Sequence, residues 1–477
     1  MRRLGGEDTG FLLMEVPEQP MNSMMLGLLR PPAGPDGRPR PHTPATLRTH
    51  MARILGDLPA YRWRVEEVPL GLDQPVYIDD PDFDLDYHLR HLTLEPPGTR
   101  GQLDAAFAAV AATQLDPRHP LWQTTLVDGL DDGRQAVIHR YHHCLADGVA
   151  GVTTLSRIFS GPERPVSVPA GDWAPEPVPT GARLVADALR HRARLMRALP
   201  PLVRAASKGL PAARRHRAEL DFPVPKPGEP APRCALLDAH TAPRAYGRAS
   251  LSLADVRAVK DAAGVTVNDV ALAVVGGALR RYLGARDDLP APALRASVPV
   301  ANEPPGAPER QWGNHFSALT TTLATDVADP WARLAEIHRV TTEAKRLFDL
   351  SGSAAVPEWL DHVPPFLAGW VVRAMQRDTV QGKRTPEVNV LLSNLRGPAE
   401  PWHFDEAVVE ELYLVGPPSI GVGLNVLVWS YAGRLLVTTL AFASALAAPD
   451  ELARDYEVAL AELVALAADR RSPVPHP

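Results

Sequence analysis

Fourteen prolines fall between Gly161 and Arg233, and they constrain the fold more than any other feature of the chain. Clusters such as Pro175, Pro177, Pro179 and Pro223, Pro225, Pro227 bar regular helix or sheet, because proline lacks the backbone donor that both require. The chain has 477 residues, beyond the roughly 250–300 at which one hydrophobic core stops growing. Two folded units are therefore expected, an N-terminal one over 1–160 and a C-terminal one over 241–477, joined by a proline-rich connection over 161–240.

Inside that connection, Ala182 to Leu220 reads as a separate helical segment with ten Arg and Lys, Arg183 through Arg217, against Asp187 and Glu219. Pro200 and Pro201 are expected to kink it. Leu184, Leu189, Leu195, Met196, Leu199, Leu202 and Val203 are interspersed among the arginines. Two readings fit equally: an amphipathic face for anionic lipid headgroups, or a solvated bridging helix kept soluble by its charge.

Both halves interleave helical and strand-like runs. In the first, Leu103, Phe107, Ala111 and Leu115 recur at helical spacing. In the second, Val267, Val270, Ala271, Val274, Ala278 and Tyr282 give one buried face to a helix from Val267 to Leu283. Strands are expected at Arg295 to Val300, Phe316 to Leu323, Val388 to Leu395, Val408 to Val415, Gly423 to Ser430 and Arg434 to Ala441, with a closing helix from near Pro449. The class is α/β, with mixed α+β sheets and no βαβ dinucleotide fingerprint.

A net charge of −6 and 6% aromatic residues supply neither a basic field nor a stacking platform, so nucleic acid is not an expected partner. Two cysteines, Cys144 and Cys234, exclude a disulfide framework and a cysteine zinc site, which fits a reducing cytoplasm. The weakly polar run Leu435 to Ala448 is shorter than the ~18–20 residues of a spanning helix. No serine-hydrolase elbow, phosphate-binding loop or H-E-x-x-H occurs, and no metal site is expected.

The chemistry concentrates in Tyr141-His142-His143-Cys144-Leu145-Ala146-Asp147-Gly148. Strand alternation puts Val137, His139, Tyr141 and His143 on one face and His142 on the other. An imidazole with a pKa near ~6.5 accepts a proton at neutral pH without a metal, which suits a general base; a histidine at a strand end is also a common hydrogen-bonded structural residue. Cys144 points away from the His143 face and reads as a small buried residue. Four further runs stand in order around the histidines: Pro120-Leu121-Trp122 upstream, then Asn268-Asp269, Ser393-Asn394-Leu395-Arg396-Gly397-Pro398, and Gly421-Val422-Gly423-Leu424-Asn425.

H-H-x-x-x-D-G with these companions resembles the bacterial wax ester synthase/diacylglycerol acyltransferase family across nearly the whole chain. The resemblance implies two chloramphenicol-acetyltransferase-like domains around a central channel. It also implies acyl transfer from acyl-CoA, a co-substrate in a reaction with no cofactor, to diacylglycerol or a long-chain alcohol. By the same resemblance His143 is the base and His142 supports the loop. Asp147 would anchor the turn by accepting hydrogen bonds or pairing with an arginine, and Gly148 would let the backbone turn. Asn268 would line the channel, although helix capping after Thr266 explains both Asn268 and Asp269. Ser393 and Asn394 would either donate to a developing oxyanion or stabilise a turn.

The chain departs from the family where Pro299-Val300-Ala301-Asn302-Glu303 replaces P-V-S-V-R, setting an acid where a base is usual, and Arg396 stands where proline is common. If the usual arginine receives the CoA phosphates, the donor is held differently here. A specialised metabolite acyltransferase or condensation-like enzyme using another thioester donor, and a noncatalytic lipid-inclusion-binding protein, are the competing readings. Peripheral attachment to membrane or lipid inclusions is expected from the basic segment and the apolar products.

Overall fold

The computed structural model describes residues 1–161, 173–238, 240–303, 306–352 and 356–471, and builds them on two six-stranded mixed sheets and one small three-stranded sheet. The second large sheet runs Phe316–Thr322, Arg295–Ala301, Val390–Arg396, Leu424–Tyr431, Arg434–Phe442, Arg244–Ser252. The strands expected from Arg295 onward all form, with ends displaced by two residues at most. Val390–Arg396 is parallel to both of its neighbours, so its C-terminal end and that of Arg295–Ala301 lie on the same side of the sheet. Val267–Gly284 forms the core helix of this half, capped by a reciprocal Thr266–Asp269 box, and approaches so closely that a Cβ on Gly276 would lie 2.3 Å from the Leu323 carbonyl.

The first large sheet runs His403–Phe404, Ala407–Val415, Asn22–Arg30, Gln135–His142, Trp122–Asp128, Leu89–Thr93. Its first two strands come from the C-terminal half of the sequence, so a division at residue 240 leaves part of the first sheet on the wrong side of the cut. The crossing is sealed by side chains: Trp429 Nε1 donates to the Leu412 carbonyl at 2.6 Å and the Tyr431 hydroxyl to that of Val409 at 2.7 Å. Strand character at 408–415 is local, whereas the choice of sheet depends on partners almost 400 residues away at Asn22–Arg30.

Within the expected connection, residues 162–172 lie outside the described residues. The basic segment is one 39-residue helix, Gly181–Glu219, whose assignment continues through Pro200, Pro201 and Pro211. Leu184, Ala188 and Leu202 are its buried residues. Asp73 receives Arg192 at 2.9 Å and His191 at 2.7 Å, fastening the helix to the body through charge as well as apolar packing. The prolines after it are also fixed, with Arg217 donating to the Val224 carbonyl and Ala231 N–H to that of Pro386, both at 2.7 Å.

Candidate active site

The strand Gln135–His142 is buried at every position and delivers the histidine pair into a turn. That turn is pinned on both sides: His142 N–H donates to the Leu121 carbonyl at 2.9 Å and His143 N–H to that of Met21 at 2.7 Å. Trp122, fully buried, donates through Nε1 to the Tyr61 carbonyl at 2.8 Å, so Pro120-Leu121-Trp122 supports the histidine strand by packing and backbone contact.

The two histidines have separate environments. His142 is fully buried; Nδ1 accepts the Cys144 N–H at 3.1 Å and Nε2 lies 3.6 Å from Glu15 Oε2. The bond at Nδ1 ties the ring to the backbone of the turn, and Glu15 faces its other nitrogen. His143 instead borders a cavity of about 480 Å³, with its ring stacked on Phe11 at 4.0 Å between centroids and 14° between planes. Burial holds its pKa below the ordinary 6.5, with its own carbonyl and Asp147 opposing the shift. Nδ1 is buried with no hydrogen-bond partner, which leaves Nε2 as the nitrogen available to accept a substrate proton. The acidic limb of kcat/KM is accordingly expected below pH 6.5, because the neutral base survives acidification past that value; a pH–rate profile with its limb above 6.5 would contradict this assignment.

Asp147 anchors the turn in both ways the sequence suggests. Its Oδ1 accepts the Val149 and Ala150 N–H groups at 3.0 Å each, capping the helix Gly148–Ile158, while Oδ2 receives Arg310 at 2.6 Å and the His315 N–H at 2.8 Å. Arg310 also pairs with Glu303. The acid that departs from the family pattern is therefore balanced inside an Asp147–Arg310–Glu303 chain. Gly148 lies on the cavity wall, where a Cβ would stand 2.9 Å from Leu395 Cδ2.

The segment 310–315 and the first helix, Gly6–Met14, complete the site, and neither carries a periodic or motif signal. Gly313 exchanges backbone bonds with Leu145 and Asp147. Asn314 Nδ2 donates to the His143 carbonyl at 2.8 Å and to Asp8 Oδ1 at 2.7 Å. Asp8 also accepts the Gly5 and Asn314 N–H groups, at 2.9 Å each; burial nevertheless pushes its pKa up to about 6. Burial pushes Glu7 up to about 8, with Asp8, Asp147 and Asp361 adding to the shift and a bond from Phe316 N–H opposing it.

A carboxyl that holds its proton more tightly when folded stabilises fully below its unfolded pKa and loses that contribution as pH rises through the folded value. For Glu7 the window runs from 4.5 to about 8. Glu7→Gln is expected to flatten the fall in Tm across this window relative to the unaltered chain; parallel Tm–pH curves would rule the assignment out.

Of the residues singled out from sequence, His143, Asp147, Gly148, Ser393 and Asn394 line one cavity, with walls from both halves of the chain. Asn268 is not among the residues lining this cavity; its Oδ1 accepts Asn394 Nδ2 at 3.3 Å and so braces a wall residue. Asp269 is spent on the helix cap and on His338, whose Nδ1 lies 2.8 Å away. Asn425, from the last of the matched runs, is on the wall, donates to the Pro417 carbonyl at 3.0 Å and leaves Oδ1 without a hydrogen-bond partner. Cys144 is buried. Among the described residues no His, Cys, Asp or Glu group has metal-binding geometry, and no single helix is long and apolar enough to cross a membrane.

Family comparison decides the class. The catalytic-domain model of wax ester synthase/diacylglycerol acyltransferase matches residues 4–271, and the C-terminal-domain model of the same family matches 312–464. The chain belongs to the wax ester synthase/diacylglycerol acyltransferase family. Membership makes it an acyltransferase. A Mycobacterium tuberculosis protein provisionally named diacylglycerol O-acyltransferase is 33% identical over 95% of this chain and 93% of its own. The wax ester synthase/diacylglycerol acyltransferase of Marinobacter aquaeolei VT8 superposes with a TM-score of 0.67 at 25% identity, covering 98% of this chain and all of that one. The first condensation domain of the calcium-dependent antibiotic synthetase shares the fold alone, at 16% identity and a TM-score of 0.58 over 99% of this chain and 97% of that one. These neighbours carry the chloramphenicol-acetyltransferase-like two-domain fold expected from the motifs.

Proposed function

We propose that this family member transfers a fatty acyl group from acyl-CoA to the hydroxyl of diacylglycerol or a long-chain alcohol, with His143 as general base and without a cofactor. The observation that carries the reading is the His143 ring, fixed by Phe11 and the pinned turn, at the wall of a cavity whose other wall is largely aliphatic, with Leu395, Leu414 and Leu427. Nε2 removes the hydroxyl proton as the oxygen attacks the thioester carbonyl. The C–O bond forms, the tetrahedral oxyanion collapses, the C–S bond breaks, and the proton passes from imidazolium to the departing thiolate. Ser393, at the middle of the cavity strand Val390–Arg396, supplies a hydroxyl donor to the oxyanion. Asp147, Arg310 and His142 position the base without touching the reacting atoms. The acceptor is drawn from a membrane or lipid inclusion, to which the protein attaches peripherally.

The test is product formation by the purified chain with palmitoyl-CoA and, separately, diacylglycerol or hexadecanol. Triacylglycerol or wax ester supports the reading and identifies the hydroxyl accepted. Transfer from a carrier-protein thioester with none from acyl-CoA would replace the donor, and no ester from any donor would leave lipid binding as the function.

A further inference from the structure

The helix Pro365–Val380 buries Pro365 and Gly369 toward the first helix, where a Cβ on Gly369 would lie 3.2 Å from Leu13 Cδ2. Its outward side leaves Phe366 60%, Leu367 45% and Trp370 66% exposed, side chains that a free surface in water disfavours when grouped. Beside Phe366, at the turn Pro69–Gly71, Leu70 is 86% exposed and has φ of +61°, a left-handed conformation that a bulky side chain adopts only under constraint. That turn bridges two helices. A Cβ on Gly71 would lie 3.5 Å from Phe366 Cβ, and the carbonyl of Leu72 accepts Arg192 Nε of the long basic helix at 3.2 Å.

On the long helix, Leu189, Met196, Val203 and Leu210 recur at every seventh residue and are 61%, 66%, 49% and 50% exposed. Arg190, Arg197 and Arg204 follow the first three directly and are exposed. A seven-residue apolar stripe also suits a helix–helix seam, but a second copy would bring the same arginines against these, and like charges along a seam oppose pairing. Anionic headgroups instead complement the cations, while the apolar side chains enter the acyl boundary.

We propose that Leu70, Phe366, Leu367 and Trp370, flanked by the arginines of the long helix, form the face by which this protein seats on an anionic lipid surface. The proposal rests on the reading of a lipid acceptor and adds where the lipid is met. The first helix, on which Pro365–Val380 packs, carries Phe11, stacked on His143, so two helix layers separate the docked surface from the base.

The test uses the full chain with vesicles of phosphatidylglycerol and phosphatidylcholine, or of phosphatidylcholine alone, at low and high salt. Two variants are compared with the unaltered chain: Leu70→Ser/Phe366→Ser/Trp370→Ser and Arg190→Gln/Arg197→Gln/Arg204→Gln. Binding to the anionic vesicles is expected to fall by about tenfold or more in each, with the unaltered chain losing affinity at high salt. Both variants are expected to keep the activity toward a soluble short-chain alcohol and a short-chain acyl-CoA, which verifies their fold. Undiminished vesicle binding by the serine variant would overturn the proposal. So would sedimentation showing the unaltered chain as a dimer that the serine variant dissolves, because the face would then belong to a second copy. Vesicle binding through this face without any acyl transfer would keep the docking surface and discard the acyltransfer reading instead.

Discussion

His143→Ala is expected to lower kcat by about 10²–10⁴, a loss of about 3–5 kcal/mol of transition-state stabilisation, with KM little changed. The split follows from what the side chain touches. The turn is held through the backbone, by His143 N–H on Met21 and Asn314 Nδ2 on the His143 carbonyl, and the alanine variant retains both bonds. Only the ring, its stacking on Phe11 and its Nε2 are lost. Steady-state kinetics beside a thermal melt check this: a variant with native Tm and undiminished kcat would remove His143 from the chemistry.

Asp147→Ala is expected to cost about 3–5 kcal/mol of stability, the scale for breaking a buried ion pair from one side. The carboxylate is 5% exposed and serves a helix cap, the His315 N–H and the Arg310 guanidinium together. Glu303 still faces Arg310 in the variant, which sets the loss toward the lower end of that range. Denaturant midpoints at constant m-value measure it, and Asp147→Asn should lose less, because its amide oxygen still caps the helix while its charge is gone. A double variant with Arg310→Ala should fall short of the sum of the two single losses; strict additivity would mean that the pair does not act as a unit.

These two residues were legible because the information they need is local. Alternation along Gln135–His142 separates the faces of His142 and His143, and Tyr141 and His143 indeed border one cavity. The capping explanation of Asn268 and Asp269 is equally local, and the structure realises it for Asp269, whereas the bond from Asn394 to Asn268 joins elements 126 residues apart and has no local signal. The parts that hold the base against the second half of the chain left no such trace. Arg310 and Asn314 lie in an aperiodic segment more than 160 residues from Asp147 and His143, and Phe11 looks like any apolar position on a short helix. Pairing across such separations is decided by the assembled sheets, as the transfer of Ala407–Val415 into the first sheet also shows. The prolines of the basic segment mark a different limit. Proline removes one backbone bond and crowds another, yet the helix runs from Gly181 to Glu219 across three of them, with Arg192, His191 and buried Leu202 holding it to the body.

The most direct test of the account follows free thiol and ester product together, in one reaction of palmitoyl-CoA with diacylglycerol or hexadecanol, for the unaltered chain and for His143→Ala. The account predicts one thiol released per ester formed, with both lost together in the folded variant. Thiol release without ester, or ester formation undiminished by the loss of His143, would contradict it.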